Sequence, residues 1–229
     1  MANLRRWCLD GMEQWMKQIE TKGITYLEPL KGSQHWYWGT DYMSGDLYEA
    51  EELFLMGHPV SQNKLLFVHY PDGKVVQPVV AQKGQYFGRP ICYHDRVAIL
   101  MGDFPDGQIM MMQFDIGLEH MLERREIPRS AVEDCYNLML QTAPLMLTRQ
   151  GGEDTFQIVW PEQVSFAIGG RESFWFRRGN KLYFADWCEG PDGSEADEVV
   201  VRKLETGEIL DRIPGSLMSM PDGQVWILQ

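Results

Sequence analysis

Cations are scarce in this chain: 21 Lys and Arg stand against 33 Asp and Glu in 229 residues, a net charge of −12. Neutralising a phosphate backbone needs clustered Lys and Arg, so a general nucleic-acid binder is not expected. Long apolar runs are missing too. No stretch approaches the roughly 20 residues that cross a bilayer. The first twenty residues are interrupted by Arg5, Arg6, Asp10, Glu13 and Lys17, which a secretory signal would not tolerate. Cysteine is rare: Cys8, Cys92, Cys135 and Cys188 lie far apart with no CxxC pair. That pattern points to free thiols in a reducing compartment and not to a disulfide scaffold. The expectation is a soluble, cytoplasmic protein that engages neither nucleic acid nor membrane.

The familiar chemical templates are also absent. The five histidines, His35, His58, His69, His94 and His120, show no HxH, HxxH or HExxH spacing, so no metal site is expected from local spacing. There is no GxSxG elbow, GxxxxGK[ST] loop or GxGxxG turn, which removes the local signatures of a hydrolase nucleophile and of phosphate cradles. No local signature pairs a cysteine with a histidine.

What the chain does contain is strand chemistry. Hydrophobic residues make up 44% and charged residues 24%, the balance of a folded globular domain. Eight Trp, nine Tyr and ten Phe favour strands over a helical bundle. The exception is the start. Leu4, Trp7, Cys8, Gly11, Met12, Trp15, Met16 and Ile19 recur at three-to-four spacing, with Asn3 as N-cap and Gly23 as stop. This spacing predicts an amphipathic helix. Its polar face mixes both signs of charge, so docking on the chain's own β domain is favoured over a membrane surface. Residues 1–34 are therefore read as helix and linker, and 35–229 as the β domain.

From residue 35 onward, short apolar runs alternate with turns. Tyr-Pro-Asp-Gly, Phe-Pro-Asp-Gly, Gly-Pro-Asp-Gly and Met-Pro-Asp-Gly occupy 70–73, 104–107, 190–193 and 220–223. Pro presets φ at the first central position of a turn, and Asp and Gly tolerate the conformations needed at the next two, so each should join antiparallel strands. Pro105 and Pro191 lie 86 positions apart, as do Ile127-Pro128 and Ile213-Pro214, while Cys92-Tyr93 and Cys135-Tyr136 lie 43 apart. A period in the low forties holding four strands is that of a β-propeller blade. Blades are expected over 47–84, 85–128, 129–171 and 172–214. A fifth would combine the strands at 217–220 and 225–228 with one near Trp36-Tyr37-Trp38. The competing reading is an α+β fold with helices near 118–141, resting on the capping-box pattern of Ser130 and Glu133.

These hairpins, with their Pro-Asp-Gly turns and the Glu-Thr-Gly-Glu turn at 205–208, resemble bacterial β-propeller repeat proteins. The resemblance implies a mainly β, five-bladed architecture of four-stranded blades. It carries over no catalytic residue, because propellers host lectins, glycosidases, phosphatases and passive scaffolds alike.

Placed on that register, acidic residues gather in the loops between second and third strands, where propellers usually bind ligands. Asp72, Asp103, Asp106, Glu153, Asp154, Glu189, Asp192, Glu195 and Asp197, with Trp187 beside them, form the candidate ligand or partner face. An acidic face of this kind favours cations or basic partners. Asp192 to Asp197 alternates oxygen donors somewhat as a calcium loop does, without the full order of one, so calcium is a minor candidate and no other cofactor is expected. Two function classes are compatible with such a face. The first is a non-enzymatic binding or protein-interaction module, taking an unidentified protein or small molecule at the acidic face. The alternative is a hydrolase of glycosidase or phosphoesterase type. It would need two carboxylates facing each other, for which Asp103 and Asp186 are the candidates, with Trp187 and Tyr86 available to stack a sugar.

Overall fold

The computed structural model describes the backbone of all residues except 1–2, 10–11, 43–44, 143, 190–194 and 221–223. Side chains are described outside 1–15, 43–44, 143, 188–196 and 221–223. The chain is mainly β and divides into two compact units, residues 1–129 and 130–229. No helix among the described residues is long and apolar enough to cross a membrane.

The first unit opens with β1 (Asn3–Leu9) and β2 (Met12–Gln18), paired antiparallel with Leu9 opposite Met12. The amphipathic helix expected here is thus corrected to a hairpin. Asp10-Gly11, the two residues between the paired ends, is a strong hairpin signal, and a mid-helix Gly costs about 1 kcal/mol against Ala. The three-to-four stripe was outweighed by that turn chemistry.

The next sheet is antiparallel, in the order β3 (Glu28–Pro29), β4 (Trp36–Thr40), β5 (Leu65–His69), β6 (Val75–Val76). Trp36-Tyr37-Trp38 pairs with Phe67, Val68 and His69 on β5, and on its other side β4 pairs with β3. It is therefore internal to this sheet and does not complete a blade with Val225–Leu228, which pairs with the strand before it. Burial explains the correction: Trp38 is drawn into the same core as Leu65, Phe67, Ile99 and Met110.

A helix, α1 (Leu47–Leu55), interrupts this sheet between β4 and β5, where a strand-built blade over 47–84 was expected. Asp46 caps it, its carboxylate accepting from the backbone N–H of Tyr48 at 2.9 Å and of Glu49 at 3.3 Å. Leu47, Ala50 and Glu51 form its buried face, and Arg129 pairs with Glu51. Asp46→Ala should therefore lower stability by about 1 kcal/mol, the usual cost of an N-cap. The shift of the urea midpoint at unchanged slope measures it.

The unit's last sheet runs β7 (Gln85–Phe87), β9 (Arg96–Asp103), β10 (Gln108–Asp115), β11 (His120–Pro128), with β8 (Ile91–Tyr93) also on β9. Residues 118–141 are thus not helical beyond a three-residue 3-10 turn, Arg129–Ala131. In place of a helix after the capping-box pattern, the buried Arg149 ties the segment down at Asp134. Its Nε donates to the Asp134 carbonyl, and Nε and Nη2 to the Asp134 carboxylate, which also accepts from Tyr136 N–H.

The second unit holds two antiparallel four-stranded meanders. One is β12 (Met139–Gln141), β13 (Met146–Gly151), β14 (Thr155–Trp160), β15 (Val164–Ala167). The other is β16 (Glu172–Arg178), β17 (Lys181–Glu189), β18 (Glu195–Lys203), β19 (Ile209–Pro214). Phe156, Ile158, Met146, Leu182, Phe184 and Val200 meet in their shared core. A final pair, β20 (Ser216–Ser219) and β21 (Val225–Leu228), ends the unit.

Candidate functional site

The Pro-Asp-Gly and Gly-Gly turns position the acidic residues, and the sheets decide which end each turn occupies. The β9–β10, β13–β14 and β17–β18 connections each join second to third strands of their sheets. The Tyr70–Gly73 turn does not. It joins β5 to β6, the third and fourth strands, because the second-to-third connection of that sheet is the segment carrying α1. Asp72 therefore leaves the loop class expected for it.

Asp103 ends β9 and is buried. Gln85 Nε2 donates to it at 2.6 Å and the Asp106 N–H at 3.4 Å, so its carboxylate braces β7 against the turn. Asp106, on the same turn, is exposed. Tyr86 is buried as well, with its hydroxyl oxygen accepting from Val60 N–H at 2.8 Å, so it offers no face to a sugar.

In the second unit Glu153 and Asp154 are exposed on the β13–β14 turn. The carbonyl of Asp154 accepts from Ile168 N–H at 2.7 Å, which ties that turn to the end of β15. On the neighbouring sheet Trp187 and Asp197 are direct cross-strand partners. The Trp187 ring is 42% exposed, and the Arg171 guanidinium lies 4.8 Å from its centroid. Asp197 accepts from the Ser216 hydroxyl through its side chain and from Gly215 N–H, at 2.8 Å, through its carbonyl.

Asp186 is opposite Glu172 on one side and Glu198 on the other. Arg212 Nη1 reaches across, 3.0 Å from Glu198 and 3.5 Å from Asp186. The bond to Glu198, and after it that to Asp186, holds the Arg212 guanidinium above its ordinary pKa. Asp186 is thus charge-compensated within its own sheet. Asp103 and Asp186, the two candidate hydrolytic carboxylates, belong to different units, and each has polar partners already.

Against models of protein families and against curated proteins, the chain matches none.

Glu189 and Glu195 are placed as strand residues opposite one another, with side chains outside the described set, and Asp192 lies outside it altogether. The calcium-like run 192–197 falls there too, except for the side chain of Asp197. Among the described residues, no group of three or more His, Cys, Asp or Glu converges to hold a metal.

Two features escaped sequence reasoning. Arg171, stacked on Trp187, and Arg212, bonded to Glu198 and Asp186, are cations of the second unit that no local spacing ties to their partners. The other is the pair His69 and Asp72, legible only as an i,i+3 pair flanking a Pro turn. His69 Nδ1 lies 2.8 Å from Asp72 Oδ1, which also accepts from Lys74 N–H at 3.0 Å. That backbone N–H first, and His69 second, hold the Asp72 carboxyl below the usual range.

Proposed function

We propose that the chain is a non-enzymatic binding module whose acidic turns receive a cationic, Arg- or Lys-bearing protein segment. The reading is carried by Trp187: an exposed indole that stacks a guanidinium of its own chain, Arg171, and has a carboxylate, Asp197, as cross-strand neighbour. A cation over an indole face gains about 0.5–1 kcal/mol at exposed sites and more when desolvated, so the same chemistry suits an arginine of a partner. The exposed Asp106, Glu153 and Asp154 extend the acidic character to turns of both units, and the net charge of −12 steers cations toward the molecule.

The proposal includes the architecture: the antiparallel sheets serve as blades of propeller type. It also includes a cytoplasmic setting, since Cys92 is a free thiol and thiols persist in reducing compartments.

Fluorescence-labelled Arg/Lys-rich and Glu/Asp-rich peptides of equal length test the reading. Basic peptides should bind, weaken steeply between low and high salt, and lose affinity on Glu153→Lys and Trp187→Ala. Equal binding of both peptide classes, or none of either, would overturn it. Turnover of chromogenic glycosides or phosphate esters, abolished by Asp186→Asn, would replace it with the hydrolase alternative.

A further inference from the structure

The histidines share no metal-binding spacing in the sequence, yet the first sheet gathers two of them. His69 ends β5 and Trp36 begins β4 directly opposite it. His35, the residue before Trp36, is thereby carried to the same end of the sheet, and its ring centre lies 6.1 Å from that of His69. Two imidazoles on one tetrahedral ion have ring centres roughly 5 Å apart, given a metal–nitrogen bond of about 2.0–2.1 Å. Closing that gap calls for a movement of the His35 side chain, which is exposed.

The surroundings of the two rings are ordered for such a role. Asp72 accepts from Lys74 N–H at 3.0 Å, and a carboxylate is an acceptor only. The proton in the 2.8 Å contact therefore sits on His69 Nδ1. That leaves the Nε2 lone pair of His69 directed away from the carboxylate. Metal-binding histidines characteristically carry such a carboxylate on the non-ligating nitrogen, where it fixes the tautomer and raises basicity. Trp36 covers one side of the His69 ring at 4.7 Å between centroids. The His35 backbone is anchored as well: its carbonyl accepts from Tyr70 N–H at 2.7 Å, and its own N–H donates to Ser33 Oγ at 3.2 Å. The nearby Lys74 ammonium is matched by Glu119 at 2.7 Å.

We infer that His35 and His69 form a two-imidazole site for a late divalent transition metal, with Asp72 as the positioning residue for His69 and water completing the coordination. Two borderline nitrogen donors select Zn²⁺, Ni²⁺ or Cu²⁺ over Ca²⁺ and Mg²⁺. This site is separate from the acidic turns of the second unit, so it stands or falls independently of the proposed binding function.

Titration calorimetry with Zn²⁺, and electron paramagnetic resonance with Cu²⁺, test it on the full chain. One equivalent should bind, with nitrogen hyperfine structure from two imidazoles. His35→Ala and His69→Ala should each lose that signature. Asp72→Asn, which keeps the side chain's shape, should weaken binding by about 10-fold or more, and the control His58→Ala should leave it unchanged. His35 is exposed, so that variant keeps its fold, as a circular dichroism melt would verify. Absence of stoichiometric binding, or binding that survives His35→Ala with both imidazole signals intact, would overturn the assignment.

Discussion

Replacing Glu172 with Ala is expected to remove about 3–5 kcal/mol of stability, because it strands a buried guanidinium. Glu172 is 2% and Arg202 8% exposed. They meet through two parallel bonds, Arg202 Nε to Glu172 Oε2 at 2.8 Å and Nη2 to Oε1 at 2.6 Å. The remaining capacity is taken up as well. Glu172 Oε1 accepts from Gly169 N–H at 3.0 Å, and Arg202 Nη1 donates to the Gly207 carbonyl at 2.6 Å. Phe166 and Phe184 enclose the guanidinium, each ring centre 6.0 Å from it, so no water shell stands ready to replace the lost carboxylate. Urea denaturation followed by tryptophan fluorescence should show the transition of the second unit at a markedly lower midpoint. Desolvating both ions is itself costly, so the double variant Glu172→Leu with Arg202→Met should recover most of the loss. A double variant as unstable as Glu172→Ala would mean that the pair contributes net stability and is not merely a compensated burden.

Phe156→Ala should destabilise the same unit by a comparable amount, about 3–5 kcal/mol, for the opposite physical reason. Phe156 is 1% exposed and is the aromatic hub between the two meanders. Its ring centre lies 4.9 Å from that of Phe174, 5.1 Å edge-on from that of Phe184 and 5.5 Å from that of Phe166. Truncation removes both the transfer free energy and the dispersion contacts across a cavity that the surrounding strands cannot close. Phe156→Leu should cost distinctly less, since it leaves a smaller void. Because Phe166 and Phe184 touch both Phe156 and the Arg202 guanidinium, combining Phe156→Ala with Glu172→Ala should give less than the sum of the two. Strict additivity in a double-mutant cycle would show that the ion pair and the aromatic cluster are energetically separate.

Much of the β architecture was legible locally. The 172–214 meander obeys the residues that announce it: the Gly179-Asn180 turn sends β16 into β17, and Glu205-Thr206-Gly207 closes β18 onto β19. Turn geometry depends on a few adjacent residues, so it can be read from them. Where two local signals competed, reading failed. The paired strands β1 and β2 stand where a helical stripe was read, and Asp46 started a helix inside a stretch read as strand. The acidic candidates were found because Asp and Glu advertise themselves in turns. Their partners were not, because Arg212 and Gln85 reach them across strands and no spacing rule connects the two.

Local chemistry, then, accounts for where this chain turns, for its strand-rich character and for the acidity of its turns, since each depends on neighbours along the chain. The burial of Asp103, the enclosure of Arg202 between aromatic rings and the approach of His35 to His69 have a different origin. They depend on which strand faces pack together, and that is set by hydrophobic burial summed over whole sheets. A carboxylate in a turn is the same residue whether solvated or braced. Only the neighbouring strands settle that Asp103 braces its turn while Asp106 meets solvent.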